Sequence, residues 1–166
     1  MRLDLRHSFS CDAETLWRLT DSDEFEARLA EASNTTREIV ERRHENGEHY
    51  RRLRISVNRD LPAPMRKVLG SDTIRYDQET WRRDGENTLR WSITPMVLQG
   101  RFHGEGLTRI ESEPSGGCAR IIEGELTVKV PIIGRKMEER LVNDVAQSYA
   151  RAAEILRDML AAEQAG

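Results

Sequence analysis

The chain has 166 residues, a net charge of −3 and a pI of about 5.9, with 37% apolar and 33% charged residues. That length suits one domain with a sizeable core, expected to span residues 1–166. The mild acidic balance excludes the basic footprint of a nucleic-acid binder, no run approaches the roughly eighteen apolar residues of a membrane span, and two cysteines, Cys11 and Cys118, are too few for a disulfide framework or a metal site.

No apolar stretch follows Met1-Arg2-Leu3-Asp4, so no secretory leader is expected and a cytoplasmic location is the default. Leu3, Leu5, His7 and Phe9 alternate with Arg2, Asp4, Arg6 and Ser8, the period of a half-buried strand. Asp12 is an N-cap candidate for a short helix carrying Leu16 and Trp17. Thr20-Asp21-Ser22-Asp23 ends it and caps a second helix, Glu24 to Ala32, with Phe25, Leu29 and Ala32 on its apolar side.

Three hairpins follow, each legible from its turn. Asn46-Gly47 pairs His44 with His49, Arg42 with Arg51 and Val40 with Leu53, placing Leu53, Ile55 and Val57 on one face and Glu41 opposite Arg52 on the other. Asp84-Gly85 pairs Trp91 with Gln78, Ile93 with Tyr76 and Leu89 with Thr80, with Glu79 meeting Arg90 outside. A loop over Pro114–Cys118 pairs Ile110 with Ile122, Gly106 with Leu126, Gly104 with Val128 and Phe102 with Val130, with Arg109 and Glu123 outside. Between the first two hairpins the prolines of Leu61-Pro62-Ala63-Pro64-Met65 end a strand, and Met65 to Leu69 forms a helical turn. A one-sided antiparallel sheet results.

From Gly134 the period becomes helical. Met137, Leu141, Val145, Tyr149, Ala152, Leu156, Met159 and Leu160 form one stripe. A helix of that span is about 40 Å long and needs a broad apolar partner, which the inner sheet face supplies. The expected architecture is therefore α+β: a seven-stranded curved antiparallel sheet around a long C-terminal helix, with two short helices after the first strand. This is a helix-grip fold.

Residues at both ends carry a family likeness. His7-Ser8-Phe9-Ser10-Cys11-Asp12-Ala13-Glu14-Thr15-Leu16-Trp17-Arg18-Leu19-Thr20-Asp21 resembles the opening of the START-like superfamily, also called SRPBCC or birch-pollen-allergen-like. Glu125-Leu126-Thr127-Val128-Lys129-Val130-Pro131-Ile132-Ile133-Gly134-Arg135-Lys136-Met137-Glu138, with Gln78-Glu79-Thr80-Trp81, is similar to a bacterial branch of unknown function, the domain of unknown function 2505 type. The resemblance implies a cavity between sheet and helix that accepts lipid-like or other apolar molecules. Its motifs are structural, so they speak to fold more than to activity.

Within that frame the candidate cavity residues are His7, Leu53, Ile55, Tyr76, Gln78, Trp91, Ile93, Phe102, Met137, Leu141, Val145 and Tyr149. The polar members could orient the polar end of an amphiphile, or could sit where the sheet outruns the helix. Gly104 and Gly106 either open space for a ligand or let the helix approach the sheet. His44 and His49 face each other with no third ligand in register, so no metal is expected. No nucleophile elbow, phosphate loop or dinucleotide fingerprint is present, and no cofactor is expected. Non-catalytic binding of an apolar small molecule leads. A co-chaperone-like interaction module or homo-oligomer using Trp81 and Leu107 comes next, then a polyketide cyclase or dehydratase using His7 or Tyr76.

Overall fold

Eleven elements alternate along the chain in a computed structural model that describes residues 1–58 and 60–166. In order they are β1 (Arg2–Phe9), α1 (Ala13–Thr20), α2 (Asp23–Ser33), β2 (Thr35–Glu45), β3 (Glu48–Asn58), α3 (Ala63–Leu69), β4 (Thr73–Arg83), β5 (Thr88–Pro95), β6 (Phe102–Ser112), β7 (Cys118–Val128) and α4 (Gly134–Ala165). The strands form one curved sheet of seven, ordered β1-β7-β6-β5-β4-β3-β2, and every neighbouring pair is antiparallel. The expected helix-grip architecture is the one observed.

Local chemistry sets the helix starts. Asp12 accepts from the Thr15 amide at 2.8 Å and Ser22 accepts from the Phe25 amide at 3.2 Å, each satisfying an otherwise orphaned first-turn donor. Asn34 ends α2 in the left-handed region, at φ 51°, a conformation asparagine tolerates better than most residues.

Apart from Val40, expected on the face of Leu53, the hairpin faces are as expected, but the registers differ. In the first hairpin a bulge after Ile39 takes Val40 out of the ladder, so Ile39 rather than Val40 opposes Leu53. In the second, Thr80 opposes Trp91, Gln78 opposes Ile93, and Tyr76 opposes Pro95. The turn is longer than Asp84-Gly85 because other segments hold it. The Asp84 amide donates to Gly47 O at 2.8 Å, the Ile110 amide to Asn87 O at 2.9 Å, and the Trp17 indole to Asn87 Oδ1 at 3.1 Å. In the third, Ser112 opposes Cys118, so Phe102 meets Val128, Gly104 meets Leu126 and Gly106 meets Gly124. Both slips move the partner by two positions and so leave every side chain on its expected face.

The outer ion pairs change accordingly. Arg109 and Glu123 still pair, now diagonally. Glu79 instead accepts from the Tyr50 hydroxyl at 2.7 Å, while Arg90 lies 4.6 Å from the Trp81 ring centroid.

α4 packs chiefly on β7, β1, α1 and α2. Its second half is closed: Ala152, Ala153, Leu156, Met159 and Leu160 join Phe9, Leu16, Trp17, Phe25 and Leu29 in one buried cluster. Its first half is different. Leu141, Val145 and Tyr149 stay half-buried, beside a smaller cluster of Leu3, Trp91, Ile122 and Leu126. No described helix is long and apolar enough to cross a membrane.

Candidate functional site: a cavity under the long helix

The half-buried stretch of α4 faces a cavity of about 230 Å³ between the helix and the inner sheet face. Its wall includes Tyr76, Gln78, Trp91, Ile93, Phe102, Met137, Leu141, Val145 and Tyr149 from the expected set. Three of that set stand outside it. Leu53 and Ile55 are wholly buried in the sheet, while their β4 neighbours Gln78 and Tyr76 face the cavity.

His7, the third, stands on β1 opposite Arg120. Its Nδ1 lies 3.5 Å from Arg120 Nη2, and burial, together with the charges of Arg120 and Arg157, pushes its pKa down to about 4. The ring is therefore neutral near pH 7.

Polar groups concentrate at two places on the wall. Near α2, Glu26 is 6% exposed and bridges Arg37 (2.7 Å) and Arg51 (2.8 Å), while Arg51 also lies 3.6 Å from Asp21. Arg42, opposite Arg51, reaches the Asp21 carbonyl and Asp23. The paired arginines are thus answered by carboxylates from the first turn of α2 and the residues before it. The acidic start of that helix also suits its dipole.

The second place was not singled out from sequence. Arg120 is 4% exposed and belongs to the wall, with Nη2 donating to Tyr149 O at 3.2 Å. Its guanidinium carbon lies 5.4 Å and 5.3 Å from the Phe9 and Tyr149 ring centroids. The available signal was an arginine at the inner-face parity of Ile122 and Leu126 in a strand otherwise apolar on that side.

Gly106 makes room for Trp91, not for a ligand or α4. A Cβ on Gly106 would lie 2.5 Å from Trp91 Cζ2, and one on Gly124, its cross-strand partner, would press on the same atom. Removing both side chains lets the indole lie against bare backbone. At Gly104 the near neighbours are Leu126, Phe102 and Ile93.

Outside the cavity, His44 and His49 stack with centroids 3.9 Å apart and planes 13° from parallel. The third group missing from the hairpin register comes from the next turn: Asp84 lies 2.8 Å from His44 Nε2 and 2.6 Å from His49 Nε2. Sequence register could not show this, since Asp84 arrives by the docking of two hairpin tips. His103 is an outer residue 3.3 Å from Glu105. On the outer face Leu107 is 46% exposed, whereas Trp81 is covered partly by Tyr50 and Arg90.

Comparison with solved structures shows the fold. TTHA0849 from Thermus thermophilus matches with a TM-score of 0.68 at 16% identity, over 98% of this chain and 99% of that one. The Zhui aromatase/cyclase from a Streptomyces species matches at 0.66 and 12%, over 96% and 92%. A START superfamily protein from Mycobacterium smegmatis matches at 0.62 and 14%, over 96% and 98%. No curated protein matches the chain. The family model described as "Protein of unknown function (DUF2505)" matches residues 4–160, and with nearly the whole sheet and helix inside that span, the chain belongs to the DUF2505 family.

Proposed function

We propose that this protein is a non-catalytic binder or carrier of an apolar small molecule, held between the sheet and the first half of α4. The observation that carries this reading is the split along one helix. The same apolar stripe that is closed at Ala152–Leu160 is left half-buried at Leu141, Val145 and Tyr149, facing a cavity. An apolar surface withheld from packing costs about 25 cal/mol per Å². That cost is offset when a ligand covers it. At about 230 Å³ the cavity lies just below the ~300–1,000 Å³ of drug-sized sites and favours a slender ligand over a bulky one.

Displacement of a cavity-bound apolar fluorophore by medium-chain alcohols tests this. Saturable displacement is expected, weakened at least tenfold by Leu141→Asp. Absence of fluorophore binding by the folded protein would remove the reading.

A second reading, a cyclase or dehydratase, is favoured by Tyr76 on the wall and by the fold shared with an aromatase/cyclase. It loses His7, which stands outside the wall and is neutral. The interaction-module reading keeps Leu107, with Met96 and Ile132 exposed elsewhere, and loses Trp81, which has partners in its own chain.

A further inference from the structure

Arg120 is the one buried arginine among the described residues, and it lacks what the other inner arginines have. Arg37 and Arg51 meet Glu26, and Arg82 lies 3.8 Å from Asp21. No carboxylate oxygen among the described residues comes within 4.0 Å of Arg120. Its Nε has no hydrogen-bond partner in the protein. His7 beside it is neutral and supplies no countercharge. Burial lowers the guanidinium only to about 10, so the charge persists at neutral pH. Burying a cation is tolerated when it is paired and is unfavourable when it is not.

A second donor on the same wall is also unanswered. Trp91 is 3% exposed and its Nε1 has no partner in the protein. Arg120 offers one full positive charge and a spare N–H donor, which matches a group that accepts hydrogen bonds and carries one negative charge. A carboxylate does so, and arginine binds it in a bidentate fork. A phosphate monoester dianion would bring charge that a single arginine leaves uncompensated.

Resting on the cavity-binding reading, we propose that the ligand is a monocarboxylate amphiphile, such as a fatty or arylalkyl acid, with its carboxylate on Arg120 and its apolar body against Leu141 and Val145. The test is calorimetric titration of the full chain at pH 7 with hexanoic, octanoic and decanoic acids and with the matching primary alcohols. Acids are expected to bind at least tenfold more tightly than alcohols. Arg120→Met is expected to abolish the preference, bringing acids and alcohols to similar affinity. Arg120→Lys is expected to retain part of the preference.

Equal affinity of acids and alcohols for the wild type overturns the proposal and leaves cavity binding standing. A preference that survives Arg120→Met overturns it equally. Binding of neither series removes the cavity-binding reading and this proposal together. Should Arg120→Met fail to fold, the wild-type ratio and Arg120→Lys decide the matter.

An independent observation concerns the hairpin tips. The ligand-capable atoms of His44, His49 and Asp84 all lie within 4.8 Å of one another. Two stacked imidazoles 3.9 Å apart repel if both are charged, yet both aim Nε2 at one carboxylate. Zinc holds imidazole nitrogen and carboxylate oxygen at about 2.0–2.2 Å, so these contacts would open and the two rings would rotate out of their stack to aim both Nε2 lone pairs at one ion. We infer that the tip is a two-histidine, one-carboxylate site for a divalent transition metal, zinc by preference, pinning the β2–β3 turn to the β4–β5 turn.

Tag-free protein stripped with a chelator and dialysed against about 10 μM zinc should retain one ion per chain, and its cobalt form should show visible d–d absorption. His44→Gln and His49→Gln should abolish both, and Asp84→Asn should weaken binding about tenfold. These side chains are 41–55% exposed, so the variants keep the fold. No retained zinc, or zinc retained by the double histidine variant, overturns the site.

Discussion

At the residue scale, Trp91 and its two glycines define the floor of the cavity. Gly106→Ala and Gly124→Ala each put a Cβ hard against an indole carbon that is itself buried, and backbone lies on the other side. Overpacking of this kind costs roughly 1–3 kcal/mol, so either variant should lower the urea midpoint by that equivalent. Gly116→Ala, where no neighbour lies within reach, should cost less, through its φ of 95° alone. His7 gives a pH signature. Its folded pKa of about 4 lies below the ordinary 6.5, so the unfolded chain binds the proton more readily between those values. The stability it contributes is complete above pH 6.5 and is lost as pH falls toward 4. A His7→Gln variant should show a flatter melting-temperature profile across that window.

At the element scale, α4 performs two tasks along one stripe. Leu156, wholly buried, should cost about 2–5 kcal/mol as Leu156→Ala, while half-buried Leu141→Ala should cost clearly less and show its effect in ligand affinity. The ion triad between α2 and the β2–β3 hairpin behaves differently. Glu26→Ala strands Arg37 and leaves Arg51 with Asp21 alone, the two arginines being only 10% and 13% exposed, and should cost about 3–5 kcal/mol in chemical denaturation. Restoring apolar packing with Arg37→Met and Arg51→Met in the same chain should recover much of that loss.

The elements themselves were legible in the sequence because period two and period 3.6 are strong signals, and caps such as Asp12 sit where their chemistry requires. Registers were less so. A slip of two positions preserves every face, so the alternation of Tyr76, Gln78 and Thr80 could not distinguish Ile93 from Trp91 as the partner of Gln78. Asn87, tied to Trp17 and Ile110, made that choice through contacts distant in sequence. The bulge at Val40 left no local mark either, since Ile39 and Val40 are both apolar.

At the scale of the molecule, the sheet-and-helix frame could be read from the chain, and so could nine of the residues now found on the cavity wall. Arg120 and Asp84 could not be weighted properly, because the meaning of each depends on what fails to pair with it or docks beside it. The frame also predicts how ligand and stability couple. A ligand at a hundred times its dissociation constant should add about 2.7 kcal/mol to unfolding and raise the melting temperature accordingly. A melting temperature unmoved by a ligand that calorimetry shows to bind would mean that the unfolded chain binds it equally well.

The uneven burial of α4 has a consequence for motion. A helix held at its start by buried Gly134 and Met137 and by Glu138 on the Val128 amide, held again at its far end by Leu156 and Leu160, and resting over open space from Leu141 to Tyr149, spans the cavity like a beam on two posts. Amide exchange should therefore be quickest in the middle of one continuous helix, from Leu141 to Tyr149, and slower beyond Ala152, and filling the cavity should slow that middle stretch alone.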